Sequence, residues 1–254
     1  MKSKTINYII TSAEVDYGKN YKPFSFMCDA QEIANIHASS INFGYEDLIK
    51  QNCVWVLSRM RVKYLQSPKW GDNVNLSTWH KGRDGVFYIR DFEMRNAAGD
   101  APLIVATSSW LIIDIESRKM LRTDHIISDS NIATVLERDA IVEHCSKLRT
   151  PKDMNLSMIK EIRYSDIDFN GHANNAKYIE WAFDCIDPEL LINSEIDEYQ
   201  INFNHEARLG DKISLTHSET ENNSIFIEGR NDDTIIFQTR IKLKPKNNRG
   251  FSSL

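Results

Sequence analysis

The sequence predicts an α+β fold in which one plan, a helix followed by a meander of antiparallel strands, is used twice. Two observations carry this reading. Val62–Trp79 matches Ile201–His217 at a constant offset of 139 residues, setting Val62 against Ile201, Tyr64 against Phe203, Gly71-Asp72 against Gly210-Asp211 and Leu76 against Leu215. The order of elements around the two copies repeats as well. Each half reads as a strand, one helix and about four more strands, which suggests a sheet wrapped around a central helix.

The shared Gly-Asp, flanked by alternating apolar residues, is a strand, a tight turn and a strand. In the first half Ala30, Ala34, Ala38, Ile41, Tyr45 and Leu48 recur at spacings of three and four, so a helix is predicted over Asp29–Leu48. Val54, Val56, Ser58, Met60, Val62 and Tyr64 then alternate with Arg59, Arg61 and Lys63. That is a half-buried strand whose basic face is solvated or meets an acidic partner. Val86–Arg95 and Leu103–Asp114 are two further strands. The second half opens with a short strand at Ile159–Tyr164. A helix follows through Tyr178, Trp181, Ala182, Cys185 and Ile186, then strands at Tyr199–Phe203, Lys212–Ser218, Ser224–Arg230 and Thr234–Leu243. Periodicity weakens over Ser117–Asn155, where Thr150-Pro151 marks a break and a helix is expected near Asn131–Cys145. The expected division is a first unit over 1–125, a linker over 126–155, a second unit over 156–246 and a tail over 247–254.

Composition narrows the function. With 254 residues, 41% of them hydrophobic and 26% charged, the chain can bury a large core, and a mainly disordered chain is excluded. A formal charge of −5 gives no overall drive toward nucleic acid or an anionic membrane. No stretch approaches the roughly 20 apolar residues that span a bilayer. The opening MKSKTINYIITSAEVD is no secretory signal. Cys28, Cys53, Cys145 and Cys185 are widely spaced, as expected for reduced thiols in a cytoplasmic protein.

A duplicated fold shows its site where the copies differ. At the repeat offset, Glu206 faces Ser67 and Ala207 faces Pro68. Before the second helix stands RYSDIDFNGHANNAKYIEW, whereas the first half has YGKNYKPFSFMCDAQEI without a matching polar cluster. Asp168, Asn170 and His172 alternate, so in an extended segment they project to one side. Asn174 or Asn175 caps the following helix, whose N-terminal N–H groups face the same region. Glu206 arrives from a strand of the same half to complete the cluster. Three sharper motifs fail. Asp166–Gly171 copies the start of an EF-hand loop, but its twelfth position is Lys177. His205-Glu206 begins like a zincin, but the fifth position is Leu209, and no G-x-S-x-G occurs. No metal and no cofactor is expected.

The segment DIDFNGHANNAKYIEWAFD (Asp166–Asp184) resembles the D-x-N-x-H-x-N-N-x-K-Y signature of acyl-carrier-protein thioesterases. VWVLSRMRVKYLQSPKWGDNVNLSTW (Val54–Trp79) and ATSSWLIIDIESRKMLR (Ala106–Arg122) resemble their N-terminal half, so the similarity runs from about Glu14 to Leu243. The resemblance implies two tandem hotdog domains, the first holding the acyl chain and the second the chemistry. It also implies hydrolysis of fatty acyl-phosphopantetheine thioesters on acyl carrier protein, ending fatty acid synthesis. By that carry-over Asp168, Asn170, His172 and Glu206 are catalytic. Plant members carry a Cys after that Glu; Ala207 stands here, which disfavours a cysteine nucleophile. Plant members also have a plastid transit segment, and a chain that starts almost at its first strand looks like the bacterial form.

Expected roles follow. Glu206 and His172 position and deprotonate water, and Asn170 holds the carbonyl or the pantetheine end. Asp168 orients His172 or attacks directly. Arg163, Lys177 and Arg208 are the expected contacts to the acidic carrier protein. Assembly as a homodimer is compatible with this reading. An acyl-coenzyme A thioesterase of the same fold, and a non-catalytic acyl-binding hotdog, are the alternatives.

Overall fold

In the computed structural model, which describes residues 2–121, 135–220 and 224–246, the period-two segments become ten strands of one antiparallel sheet. The first half contributes β1 (Ser3–Ile9), α1 (Pro23–Ser40), α2 (Tyr45–Ile49), β2 (Cys53–Tyr64), β3 (Asn73–Asp84), β4 (Phe87–Asn96) and β5 (Pro102–Asp114). The second contributes β6 (Asn155–Glu161), α3 (Asn175–Asp184), α4 (Pro188–Asn193), β7 (Ser194–Phe203), β8 (Lys212–Thr220), β9 (Ser224–Asn231) and β10 (Thr234–Pro245). Strand order is β1-β3-β4-β5-β2-β7-β10-β9-β8-β6, so β2 and β7 form the seam between the halves.

The repeat is visible in the register of that seam. Val62 pairs with Tyr199 and Met60 with Ile201, and the repeat offset exchanges these two pairs, so the halves are related by a pseudo-two-fold axis through β2 and β7. All four residues are buried, each contributing on the order of 1.5–3 kcal/mol by leaving water. Diagonally across the seam the Arg61 guanidinium donates from Nε and Nη2 to the two carboxylate oxygens of Glu198, each at 2.9 Å. The inner faces of both halves then share one hydrophobic core, in which Phe26 and Ile33 of α1 and Tyr178 and Ile179 of α3 pack with Tyr199 and Ile201.

The outer face is polar, and residues 135–150 cover it as an irregular strap. Its backbone groups need partners, and outward-facing side chains supply them. Asp91 Oδ2 accepts from the Ala140 N–H at 2.8 Å, Lys81 donates to the Ile141 carbonyl at 2.8 Å, and Gln200 donates to the Ser146 carbonyl at 2.7 Å. Arg59 donates to the Cys145 carbonyl at 2.9 Å. The helix expected near Asn131–Cys145 is therefore absent over 135–145, because the sheet rather than an i→i−4 ladder satisfies this backbone; residues 131–134 and the 247–254 tail lie outside the described residues. Arg59 and Arg61 face the strap and Glu198, so the basic face of β2 meets this chain's own groups rather than open solvent.

Two boundaries also differ from expectation. The single helix over Asp29–Leu48 is two helices, α1 starting six residues earlier on Pro23 and ending before Asn42, whose φ of 54° breaks the ladder. Gly44 then passes so close to Ser39 that a Cβ would strike its backbone, and α2 begins. The strand expected at Ile159–Tyr164 runs instead over β6, and Tyr164–Asp166 is a single 3₁₀ turn. A β-bulge between Ile235 and Phe237 presses the Phe237 ring onto Gly229. Gly229→Ala should therefore lower stability by about 1–3 kcal/mol, read as a fall in the denaturant midpoint; an unchanged midpoint would show that Phe237 yields freely.

Candidate active site

Asp168–His172 is a tight turn and not the extended segment expected. The Asp168 N–H donates to the His172 carbonyl at 2.8 Å and the Gly171 N–H to the Asp168 carbonyl at 3.0 Å. Gly171 takes a φ of 79°, open to glycine at little cost. The Asp168 carboxylate accepts the Asn170 N–H at 2.8 Å, so this side chain holds the turn. α3 starts immediately after it. Asn174 is the cap, accepting the Ala176 N–H at 2.8 Å, and Asn175 takes the first helical position with its side of the helix end lining the cavity.

Glu206 sits in the loop that follows β7, not in the strand. Two bonds place that loop against the turn: the Ala173 N–H donates to the Ala207 carbonyl at 2.8 Å, and the Ala207 N–H donates to Tyr178 Oη at 3.1 Å. His172 Nε2 and Glu206 Oε2 are thereby 3.1 Å apart. The same Glu206 oxygen takes an ion pair from Arg118, in the turn after β5 of the first half. Arg118 escaped the sequence reading. Its signal was its place in the second first-half block, Ala106–Arg122, where no chemistry was sought.

These groups line a cavity of about 1250 Å3 bounded by both halves. Asp168, Asn170, His172 and Glu206 all line it, so the four residues singled out from sequence do come together. Toward the first half its walls are Trp55, Leu57, Tyr88 and Trp110, with His80 and Arg90 among them. Burial and the neighbouring Arg90 charge push the His80 imidazole down to about 4. Of the three expected carrier contacts, Arg163 is bound to Glu161 and Lys177 to Glu180, each at 2.8 Å. Arg208 alone of the three has no carboxylate partner among the described residues, and it lines the cavity.

The first half has a vestige of the same turn, at an offset of 152 rather than 139. The bridge Val15–Tyr21 stands where Ile167–Ala173 stands. Ile10 exchanges backbone bonds with Gly71 and Asp72 as Ile162 does with Gly210 and Asp211. On this register Asp16 corresponds to Asp168, Gly18 to Asn170 and Asn20 to His172. Asp168 thus has a first-half counterpart, contrary to the reading of the two segments, and Asp16 likewise braces its turn by accepting the Asn20 N–H at 2.8 Å. Asn170, His172 and Glu206 are the members without one.

Residues 2–129 match the acyl-ACP thioesterase N-terminal domain, and residues 150–244 match the acyl-ACP thioesterase C-terminal domain. The chain belongs to the acyl-ACP thioesterase family. It is 25% identical over 244 residues to the chloroplastic oleoyl-acyl carrier protein thioesterase 2 of Arabidopsis thaliana, covering 89% of this chain and 66% of that one. It is 27% identical to the chloroplastic palmitoyl-acyl carrier protein thioesterase of Gossypium hirsutum, covering 85% and 56%. The chain thus spans less than two thirds of the length of these plant relatives. Among solved structures, an acyl-ACP thioesterase from Bacteroides thetaiotaomicron superposes with a TM-score of 0.88 at 23% identity over 96% of this chain and 98% of that one. The 12:0-ACP thioesterase of Umbellularia californica gives 0.85 at 20% over 97% and 98%. The α+β fold of two tandem hotdog domains is the fold of this family.

His80 makes the family fold acid-sensitive here. An unfolded imidazole takes its proton near 6.5 and the folded one only near 4, so the stability that neutral His80 confers is present above pH 6.5 and lost as pH falls toward 4. The loss is at most about 3 kcal/mol. Replacing His80 by Gln should flatten the stability–pH curve across that window, measured by denaturation at each pH; parallel curves would assign the acid sensitivity elsewhere.

Proposed function

We propose that this family member hydrolyses fatty acyl thioesters of acyl carrier protein to the free acid and the carrier thiol. The observation that carries the reading is the His172–Glu206 pair on the lining of a large cavity with aromatic walls. The thioester carbonyl rests beside the start of α3, where the Asn170 side chain and the Asn175 N–H meet the oxygen as it becomes negative. Glu206 takes a proton from water, and the water oxygen bonds to the carbonyl carbon. His172 and Arg118 hold the Glu206 carboxylate in place. When the tetrahedral intermediate collapses, the carbon–sulfur bond breaks and the proton on Glu206 passes to the departing sulfur. The acid and the thiol are the products, with no group left on the enzyme.

Water attack is favoured over attack by Asp168 because Asp168 already braces the turn, and its counterpart Asp16 does the same in a half with no His172 or Glu206. The acyl chain runs from the site toward Trp55 and Trp110 in the first half. Arg208, at the cavity and without a carboxylate partner, is the contact proposed for the acidic carrier. The reaction is assigned to the cytoplasm, at the end of fatty acid synthesis; all four cysteines are free thiols, as a reducing compartment requires.

Glu206→Gln should lower kcat on acyl-carrier thioesters by about a hundredfold or more, the usual worth of a positioned base, with the fold retained by circular dichroism. Arg118→Met should cost about fivefold, near the 1 kcal/mol of a half-exposed ion pair. If Arg118→Met costs as much as Glu206→Gln, Arg118 touches the substrate. A single turnover in oxygen-18 water should label the product acid and leave Asp168 unlabelled by mass spectrometry; label in Asp168 would replace water attack with an anhydride route. Carrier-linked chains should outpace the same chains on coenzyme A, and equal rates would assign the enzyme to general thioester hydrolysis.

A further inference from the structure

The first-half wall of the cavity holds a cation that the hydrolytic chemistry does not use. Arg90 projects from β4 into the space between α1 and the sheet, among the aromatic side chains of Trp55, Tyr88 and Trp110. Its Nη1 donates to His37 Nδ1 at 2.9 Å and to Thr78 Oγ1 at 3.2 Å. A guanidinium carries five N–H donors, and no acceptor among the described residues meets the other three. No carboxylate among the described residues pairs with Arg90 either, whereas Arg61 is paired with Glu198 and Lys81 with Asp91 on the other face of the sheet. Burial pulls the Arg90 guanidinium down to about 10, which still leaves it charged at neutral pH.

Its neighbours are neutral. His37 accepts from Arg90 through Nδ1, so it is not the charged imidazolium at that contact. His80 Nδ1 lies 3.0 Å from the Ile89 carbonyl, which can only accept, so that nitrogen carries the proton and Nε2 is left as a lone pair. An unpaired charge in a protein interior is costly and is ordinarily removed or neutralised. A wall meant only for a hydrocarbon tail has no use for it, and a leucine or methionine would serve that purpose better. Three free N–H donors on a cation, opening on a cavity that already holds the acyl group, are the recognition chemistry of a carboxylate.

We propose that Arg90 binds a carboxylate at the distal end of the acyl group, making thioesters of dicarboxylic acids substrates of this enzyme. The inference rests on the hydrolase reading for turnover, but the binding it asserts is independent of catalysis. Two measurements separate them. The purified full chain is given pantetheine thioesters of matched length ending in methyl, hydroxyl or carboxylate, over a series of lengths. At one length the carboxylate-ended chain should show kcat/KM at least tenfold above its methyl-ended equivalent, and Arg90→Met should reverse that order. Free dicarboxylic acids and monocarboxylic acids of the same lengths are then compared by the shift in melting temperature of the Glu206→Gln protein. The dicarboxylic acids should give the larger shift, lost in Arg90→Met and kept in Arg90→Lys.

If no thioester is hydrolysed yet the dicarboxylic acids stabilise through Arg90, the hydrolase reading fails and the carboxylate site stands. If methyl-ended chains are preferred at every length and Arg90→Met changes neither rate nor binding, the carboxylate site is overturned and hydrolysis stands. Equal responses to hydroxyl and carboxylate ends overturn the anion and leave a polar contact only. Should Arg90→Met fail to fold, the ranking of ligands on the Arg90→Lys and unaltered proteins decides between the same outcomes.

Discussion

The pairing of β2 with β7 is the constraint on which the rest of the molecule depends. Two half-sheets, each curled around its own helix, would otherwise expose a strand edge apiece and close two separate cores. Joined edge to edge, they remove both edges and put α1 and α3 against each other on one continuous inner face. The seam is held on its inner side by Met60, Val62, Tyr199 and Ile201 and on its outer side by the two-point Arg61–Glu198 pair. Because the register is self-consistent under the repeat, slipping it by one residue would turn the inner residues of both halves outward at once. The cavity between the halves exists only because this register brings the first half's aromatic wall beside the second half's Asp168–His172 turn.

That arrangement explains why the site is built from both halves although three of its four sequence-predicted members come from one turn. Asn170 and His172 ride on the turn before α3, and Glu206 on the loop after β7. Backbone bonds from Ala173 and Ala207, with Tyr178 beneath, lock the two segments together. Arg118 reaches the same carboxylate oxygen from across the interface. Glu206 is thus held from both sides, by a ring nitrogen of its own half and a guanidinium of the other, and a shift of one half against the other would move it.

Much of this was legible in the sequence. The Gly-Asp repeat and period-two alternation identified eight of the strands and both long helices, and the asymmetry at Glu206 and His172 led to the site. What was lost has physical causes. A helix is expected near Asn131–Cys145 because propensity is local, whereas the backbone over 135–145 is satisfied by Asp91, Lys81 and Arg59, which lie far away in sequence. The Asp168–His172 segment was read as extended because alternation alone cannot reveal that Gly171 takes a positive φ and folds the chain back. Arg118 and Arg90 were invisible for a further reason. Nothing in their neighbourhoods marks them, and only tertiary packing shows that one meets the Glu206 carboxylate and the other meets no carboxylate among the described residues.

The vestigial turn of the first half shows how a duplicated fold comes to divide its labour. Asp16 still braces the turn, as Asp168 does, so that carboxylate belongs to the architecture before it belongs to any chemistry. The other positions differ: Gly18 stands for Asn170, Asn20 for His172 and Ser67 for Glu206. The helix end has changed as well. α1 opens on Lys22 and Pro23, without a side-chain cap and with an imino nitrogen where α3 offers the Asn175 N–H. Proline costs a helix nothing at that position, but it removes the donor that faces a developing oxyanion. The first half thus has none of the donor, imidazole and carboxylate that the second half gathers at its turn. Trp55, Tyr88, Trp110, His80 and Arg90 line the space between its helix and sheet, so on the proposed function the first half shapes what the second half is given to cleave.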